Sequence, residues 1–175
     1  MKKSKLIALA LLVVTLLALL AGCNKTLEID LNEVLEAVKE ELGEDYIPVR
    51  PIDMEEIENF TGIAENLVKD YVAEGPMMSM HVDTFMAFRA EKGKGKDVAA
   101  KLNDYRTYLV EESLQYPMNM SKVEASKVVQ EGDYVFFIML GAFGNPDAEA
   151  GSKEANEFAQ EEVARVEQVI EGFFK

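Results

Sequence analysis

Met77-Met78-Ser79-Met80-His81 gathers three thioethers and the chain's single imidazole into five consecutive residues. Thioether and imidazole are ligand types that suit Cu(I). If this stretch is a strand, Met80 shares a face with Val82 and Met86, where methionine serves as a core filler; packing is then its expected role, and a Met/His metal site is the lesser alternative. Ser79, His81 and Asp83 fall on the opposite face and resemble a nucleophile, a base and an orienting acid. Residues two apart on one strand face stand ~6.5–7 Å apart, whereas a working triad needs contacts of ~2.6–3.2 Å, so a polar face or a half-buried histidine is expected instead. The loop Asn145-Pro146-Asp147-Ala148-Glu149-Ala150-Gly151 has oxygen ligands at alternate positions. An EF-hand would require glycine at Ala150 and glutamate at Asn156, and both are missing. Gly93-Lys94-Gly95-Lys96 lacks the spacing of a phosphate-binding loop and reads as a surface turn. No catalytic residue, cofactor site or metal site is therefore assigned.

The remaining reactive group is the thiol of Cys23, the only cysteine. It follows a basic start, Met1-Lys2-Lys3-Ser4-Lys5, and an uncharged apolar run from Leu6 onward, which is the charge order of an export signal. The small residues Ala21 and Gly22 let the backbone extend into a peptidase groove. Leu20-Ala21-Gly22-Cys23 is similar to the lipobox of bacterial lipoproteins. That resemblance implies signal-peptidase recognition through Leu20, Ala21 and Gly22, cleavage before Cys23, and a diacylglyceryl group on its sulfur. Two acyl chains supply the two signals that stable anchoring takes, each buried methylene adding ~0.8 kcal/mol. The expected organisation is a signal peptide over 1–22, a lipidated N-terminus and tether over 23–30, and a single α+β domain over 31–175.

All 32 acidic residues follow Cys23, while three of the 18 basic ones precede it; from Cys23 onward 15 basic residues face 32 acidic ones, a formal charge of −17. Such a chain lacks the basic footprint that phosphate contacts require, which excludes nucleic acid as a partner, and an anionic bilayer surface would repel it. With its one cysteine acylated it has no disulfide, thiolate metal site or thiol catalysis. The full sequence is 49% apolar, part of it in the signal segment, and the rest supplies a hydrophobic core in their place.

The elements that would position these residues follow from periodicity. Asp30 caps a helix with Leu31, Val34, Leu35, Val38 and Leu42 on one face, stopped by Gly43. Only about seven residues separate it from Cys23, a reach of no more than ~25 Å. A proline-broken connector, 44–51, precedes a short helix opened by Asp53 and Glu56. Two β-hairpins are expected: 67–74 with 79–90, the first of these runs having a helix as its alternative, and 126–130 with 133–140. Val135 to Leu140 is apolar on both faces and reads as a central, covered strand. A helix with Val98, Leu102, Tyr105 and Leu109 inward runs between the hairpins until Tyr116-Pro117, a short helix starts from Asn119, and a last helix places Ala155, Ala159, Val163, Val166, Ile170 and Phe173 inward. The predicted fold class is α+β: an antiparallel four-stranded sheet packed with amphipathic helices.

Phe60-Thr61-Gly62-Ile63, Gly75-Pro76-Met77-Met78 entering a strand, and Gly132-Asp133-Tyr134-Val135 in a late hairpin, in that order after a lipobox and a short leading helix, resemble the bacterial lipoproteins of domain-of-unknown-function family 4358 over roughly Leu31 to Leu140. The resemblance implies a location outside the cytoplasm and a small α+β domain, and carries over no site residue. The expected function is a lipid-anchored binding or interaction module of the cell envelope, non-enzymatic, with a basic protein or peptide as partner because the negative field steers cations. The competing class is a carboxylate-based envelope hydrolase.

Overall fold

The computed structural model describes residues 28–144 and 148–175. Leu20, Ala21, Gly22 and Cys23, the expected signal and most of the tether, and Asn145 to Asp147 of the calcium-like loop lie outside the described residues.

The described residues form an antiparallel sheet of five strands with five α-helices. In chain order these are α1 (Leu31–Leu42), β1 (Arg50–Pro51), α2 (Met54–Thr61), β2 (Val68–Gly75), β3 (Thr84–Ala90), α3 (Gly95–Glu111), α4 (Met120–Ala125), β4 (Lys127–Glu131), β5 (Tyr134–Met139) and α5 (Lys153–Gly172). The strand order is β1-β2-β3-β5-β4. Both expected hairpins form, and β3 and β5 pair with each other from Thr84 opposite Met139 to Arg89 opposite Tyr134.

β5 lies inside the sheet, buried at all six positions, because its two faces meet different helix layers. Phe136, Ile138 and Leu140 join Phe85 and Ala87 against α1 and α5. Val135, Phe137 and Met139 join Met86 and Phe88 against α2, α3 and α4. The period-2 alternation of both strands thus divides one apolar run between two cores.

Helix ends follow their local chemistry. The Asp30 carboxylate accepts from Asn32 N–H at 2.8 Å, and the bonds from Asn32 hold its pKa below the ordinary aspartate range. Asp53 accepts from Glu56 N–H at 2.9 Å, and Gly62 takes the left-handed conformation that closes α2. α3 is capped from a distance. Asp133, in the β4–β5 turn, accepts from the N–H groups of Gly93 and Gly95. A Cβ on Gly95 would stand 2.2 Å from the Gly132 carbonyl oxygen, so glycine is what allows the turn and the helix start to touch.

Three expectations are corrected. The sheet has five strands rather than four, because Arg50–Pro51 of the presumed connector pairs with Gly75 and Glu74; proline lacks a donor but is tolerated on an edge strand. The strand expected from Ser79 begins only at Thr84, and the preceding residues form turns and irregular backbone. α3 ends at Glu111, before the Tyr116-Pro117 stop.

Candidate functional site

Where β5 leaves the sheet, the chain turns through Leu140 to Gly144 and meets α4 and the first half of α5. Between them lies a cavity of about 430 Å³, inside the ~300–1,000 Å³ typical of ligand pockets. Its walls are mostly apolar: Leu140 and Phe143 from the β5 exit, Met118 before α4, and Ala155, Phe158 and Ala159 from α5. The small alanines leave the space; a larger side chain at either position would fill it.

Among the described residues two ionisable side chains reach this wall, and both are engaged. Lys122 is 5% exposed. Its Nζ donates to Asp83 Oδ1 at 2.5 Å and to the Gly141 carbonyl at 2.8 Å, and it stands 4.1 Å from the Phe143 ring centroid. A buried ammonium needs such partners, since neither charge keeps its water. Glu162 accepts from Ala142 N–H at 2.8 Å through Oε2 and from Arg165 at 2.7 Å through Oε1. Gly141 adopts φ +127°, and a Cβ there would fall 2.4 Å from that of Glu162. The two charged groups thus clamp the β5 exit from both sides and fix the pocket wall.

Beside Lys122, the segment 77–83 and the segment before α4 meet. Asn119, 1% exposed, donates from Nδ2 to the Met80 carbonyl at 2.8 Å. His81 Nδ1 lies 3.9 Å from Asp83 Oδ2. Among the described residues these two atoms and Asn119 Oδ1 are buried without a hydrogen-bond partner; buried polar atoms of this kind are usually matched by an ordered water or a ligand. His81 also packs against Phe143, ring centroids 5.5 Å apart.

Of the residues singled out in the sequence, His81 and Asp83 are brought together, while Ser79 stays exposed. Asp83 belongs to no solvated polar face: it is fully buried, because the backbone bends at 77–83 where an extended strand was expected. The same bend corrects the reading of Met80 as core, since Met77, Met78 and Met80 are 73%, 56% and 45% exposed. Lys122, Asn119 and Glu162 escaped sequence reasoning. Asn119 and Lys122, three apart, share one helical face, but nothing local pairs them with Asp83. Among the described residues no three His, Cys, Asp or Glu side chains group as a metal site, and no helix is long and apolar enough to cross a membrane.

The fold is thus an α+β protein with an antiparallel sheet covered on both faces and a pocket at one end. A family model matches residues 30–140, and the chain belongs to that family, described as Domain of unknown function (DUF4358). The match includes His81, Asp83 and Lys122 and stops before Phe143 and α5. No curated protein and no solved structure matches the chain.

Proposed function

We propose that the protein is a lipid-anchored, extracytoplasmic binding module that uses the pocket between α4 and α5 to hold an apolar side chain of a basic peptide or protein. The carrying observation is the position of the pocket relative to the chain's entry. Glu28 pairs with Arg89 at 2.7 Å and Ile29 N–H donates to Tyr134 Oη at 2.9 Å, so the tether enters at the Arg89–Tyr134 end of the central strand pair. The pocket opens beyond the Thr84–Met139 end. Five residue steps of ~3.4 Å separate these ends, about 17 Å along the sheet. A domain held by acyl chains on Cys23 would therefore carry its pocket on the side away from the tether, where a partner in the surrounding space can reach it. The formal charge of −17 from Cys23 onward favours a cationic partner through long-range steering.

Binding is a better account than hydrolysis. In the pocket wall the carboxylate of Glu162 has both oxygens occupied and Lys122 is held by Asp83 and Gly141, so neither is presented as a free acid or base. A peptide of alternating lysine and leucine is expected to bind the acylated protein, with affinity falling as salt rises, and Ala159→Trp, which fills the pocket, is expected to abolish binding. Equal binding of a glutamate–leucine peptide, or indifference to Ala159→Trp, would defeat the partner assignment. Anchoring is tested separately: Cys23→Ala should release the protein from the membrane fraction, and retention there would refute it.

A further inference from the structure

The two edges of the sheet are finished differently. The outer side of β2 is covered at one end by β1, with Ile52 N–H donating to the Ala73 carbonyl at 2.9 Å. Further along, its register slips at a bulge between Val68 and Asp70, and the Asp70 carboxylate accepts from Tyr71 N–H at 2.9 Å. Bulges and charged side chains on an edge are devices against pairing with a second chain. β4, at the other edge, has no bulge: its register with β5 is unbroken from Lys127 to Glu131, and it contains no proline.

Which backbone groups β4 leaves open follows from the hairpin. Glu131 and Tyr134 face each other across a two-residue turn, and the Asp133 carbonyl is turned toward β3, where it accepts from Ala90 N–H at 2.8 Å. Alternation along β5 then turns Tyr134, Phe136 and Ile138 toward β4. Their partners Lys127, Val129 and Glu131 therefore bond inward, while Val128 and Gln130 present N–H and C=O outward. A groove of about 370 Å³ runs along this side, walled by Asn103 and Arg106 of α3 and Gln160 of α5, which leaves space for another backbone to approach.

We propose that β4 pairs with β4 of a second copy of the chain, antiparallel about a two-fold axis at Val129, so that two sheets join edge to edge. In this register Val128 of each copy lies opposite Gln130 of the other and the two exchange both backbone bonds, while Lys127 lies opposite Glu131. The choice of occupant follows from charge. Lys127 and Glu131 sit symmetrically about Val129 on one face of the strand, so a reversed copy sets each against its counter-ion, the favourable cross-strand combination. A two-fold contact requires such self-complementarity, because the same surface meets itself. The net negative charge of the chain opposes association at long range, but that repulsion is screened beyond ~8 Å at physiological ionic strength, and the facing pairs lie within this distance. The contact uses no residue of the pocket wall.

The test uses the full acylated protein in density-matched detergent. Sedimentation at physiological ionic strength should give the mass of two chains. Lys127→Glu sets carboxylate against carboxylate and Glu131→Lys sets ammonium against ammonium, so each variant alone should sediment as one chain. An equimolar mixture of the two makes every facing pair opposite in sign again and should recover the dimer, which also shows that both variants are folded. Cysteines read the register. Lys127→Cys combined with Glu131→Cys should give an intermolecular disulfide on mild oxidation, because residues facing each other at this position stand ~4.5 Å apart, within disulfide reach. Either cysteine alone should not crosslink, since its counterpart in the other copy lies four residue steps, about 14 Å, away. A wild-type protein that sediments as one chain, single charge variants that still dimerise, a mixture that stays monomeric, or crosslinking through the single cysteines would each overturn the pairing.

Discussion

Lys122 and Asp83 show how one residue pair decides the structure around it. Each charge is buried and each is tolerable only because the other is there; the net gain over two apolar side chains is small, but the loss on removing one partner is large. Lys122→Met is therefore expected to destabilise the protein by roughly 3–5 kcal/mol, measured by urea denaturation. Adding Asp83→Leu to it should recover much of that loss, since the uncompensated carboxylate is then gone. Additive losses in the two single variants and the double variant would show that the pair is not coupled. Neither residue announces this role in the sequence: they are 39 positions apart, Asp83 lies next to a strand, and Lys122 sits in a stretch that reads as an ordinary helix surface.

At the scale of elements, most boundaries were legible because they depend on neighbours in sequence. Asp30 and Asp53 cap the helices that follow them, and Gly43 and Gly62 end them, as the residue types require. The contact between the β4–β5 turn and α3 is different. It needs Asp133 to supply the cap and Gly95 to have no side chain, and the two come from segments that only the folded sheet brings together. Asp133→Ala is expected to cost about 0.5–2 kcal/mol, as for loss of a local cap. Gly95→Ala should cost about 1–3 kcal/mol as overpacking, the obstacle being backbone that cannot rotate away. Hydrogen exchange at the first turn of α3 should rise in both variants, and unchanged protection there would argue against the junction.

For the whole molecule, the consequential feature is polarity along the central strands: the chain enters at the Arg89–Tyr134 end and the pocket and exposed methionines lie at the other. With acylation on Cys23, a fluorophore on Met118→Cys should be quenched by brominated lipid less than the same fluorophore on Glu28→Cys. Equal quenching would place the pocket mouth at the bilayer and remove the argument for a partner in the surrounding space.

Taken by itself, the sequence determined the acidic balance, the lone thiol after an apolar run, both hairpins and the helix stripes, all of which depend on composition or on periods of 2 and 3.6 residues. Tertiary structure decided what proline-containing residues 50–51 pair with, where the strand after Met80 begins, and which polar side chains meet at the end of β5. Those outcomes turn on which distant backbone groups and charges need a partner once water is excluded, and no local pattern encodes that requirement.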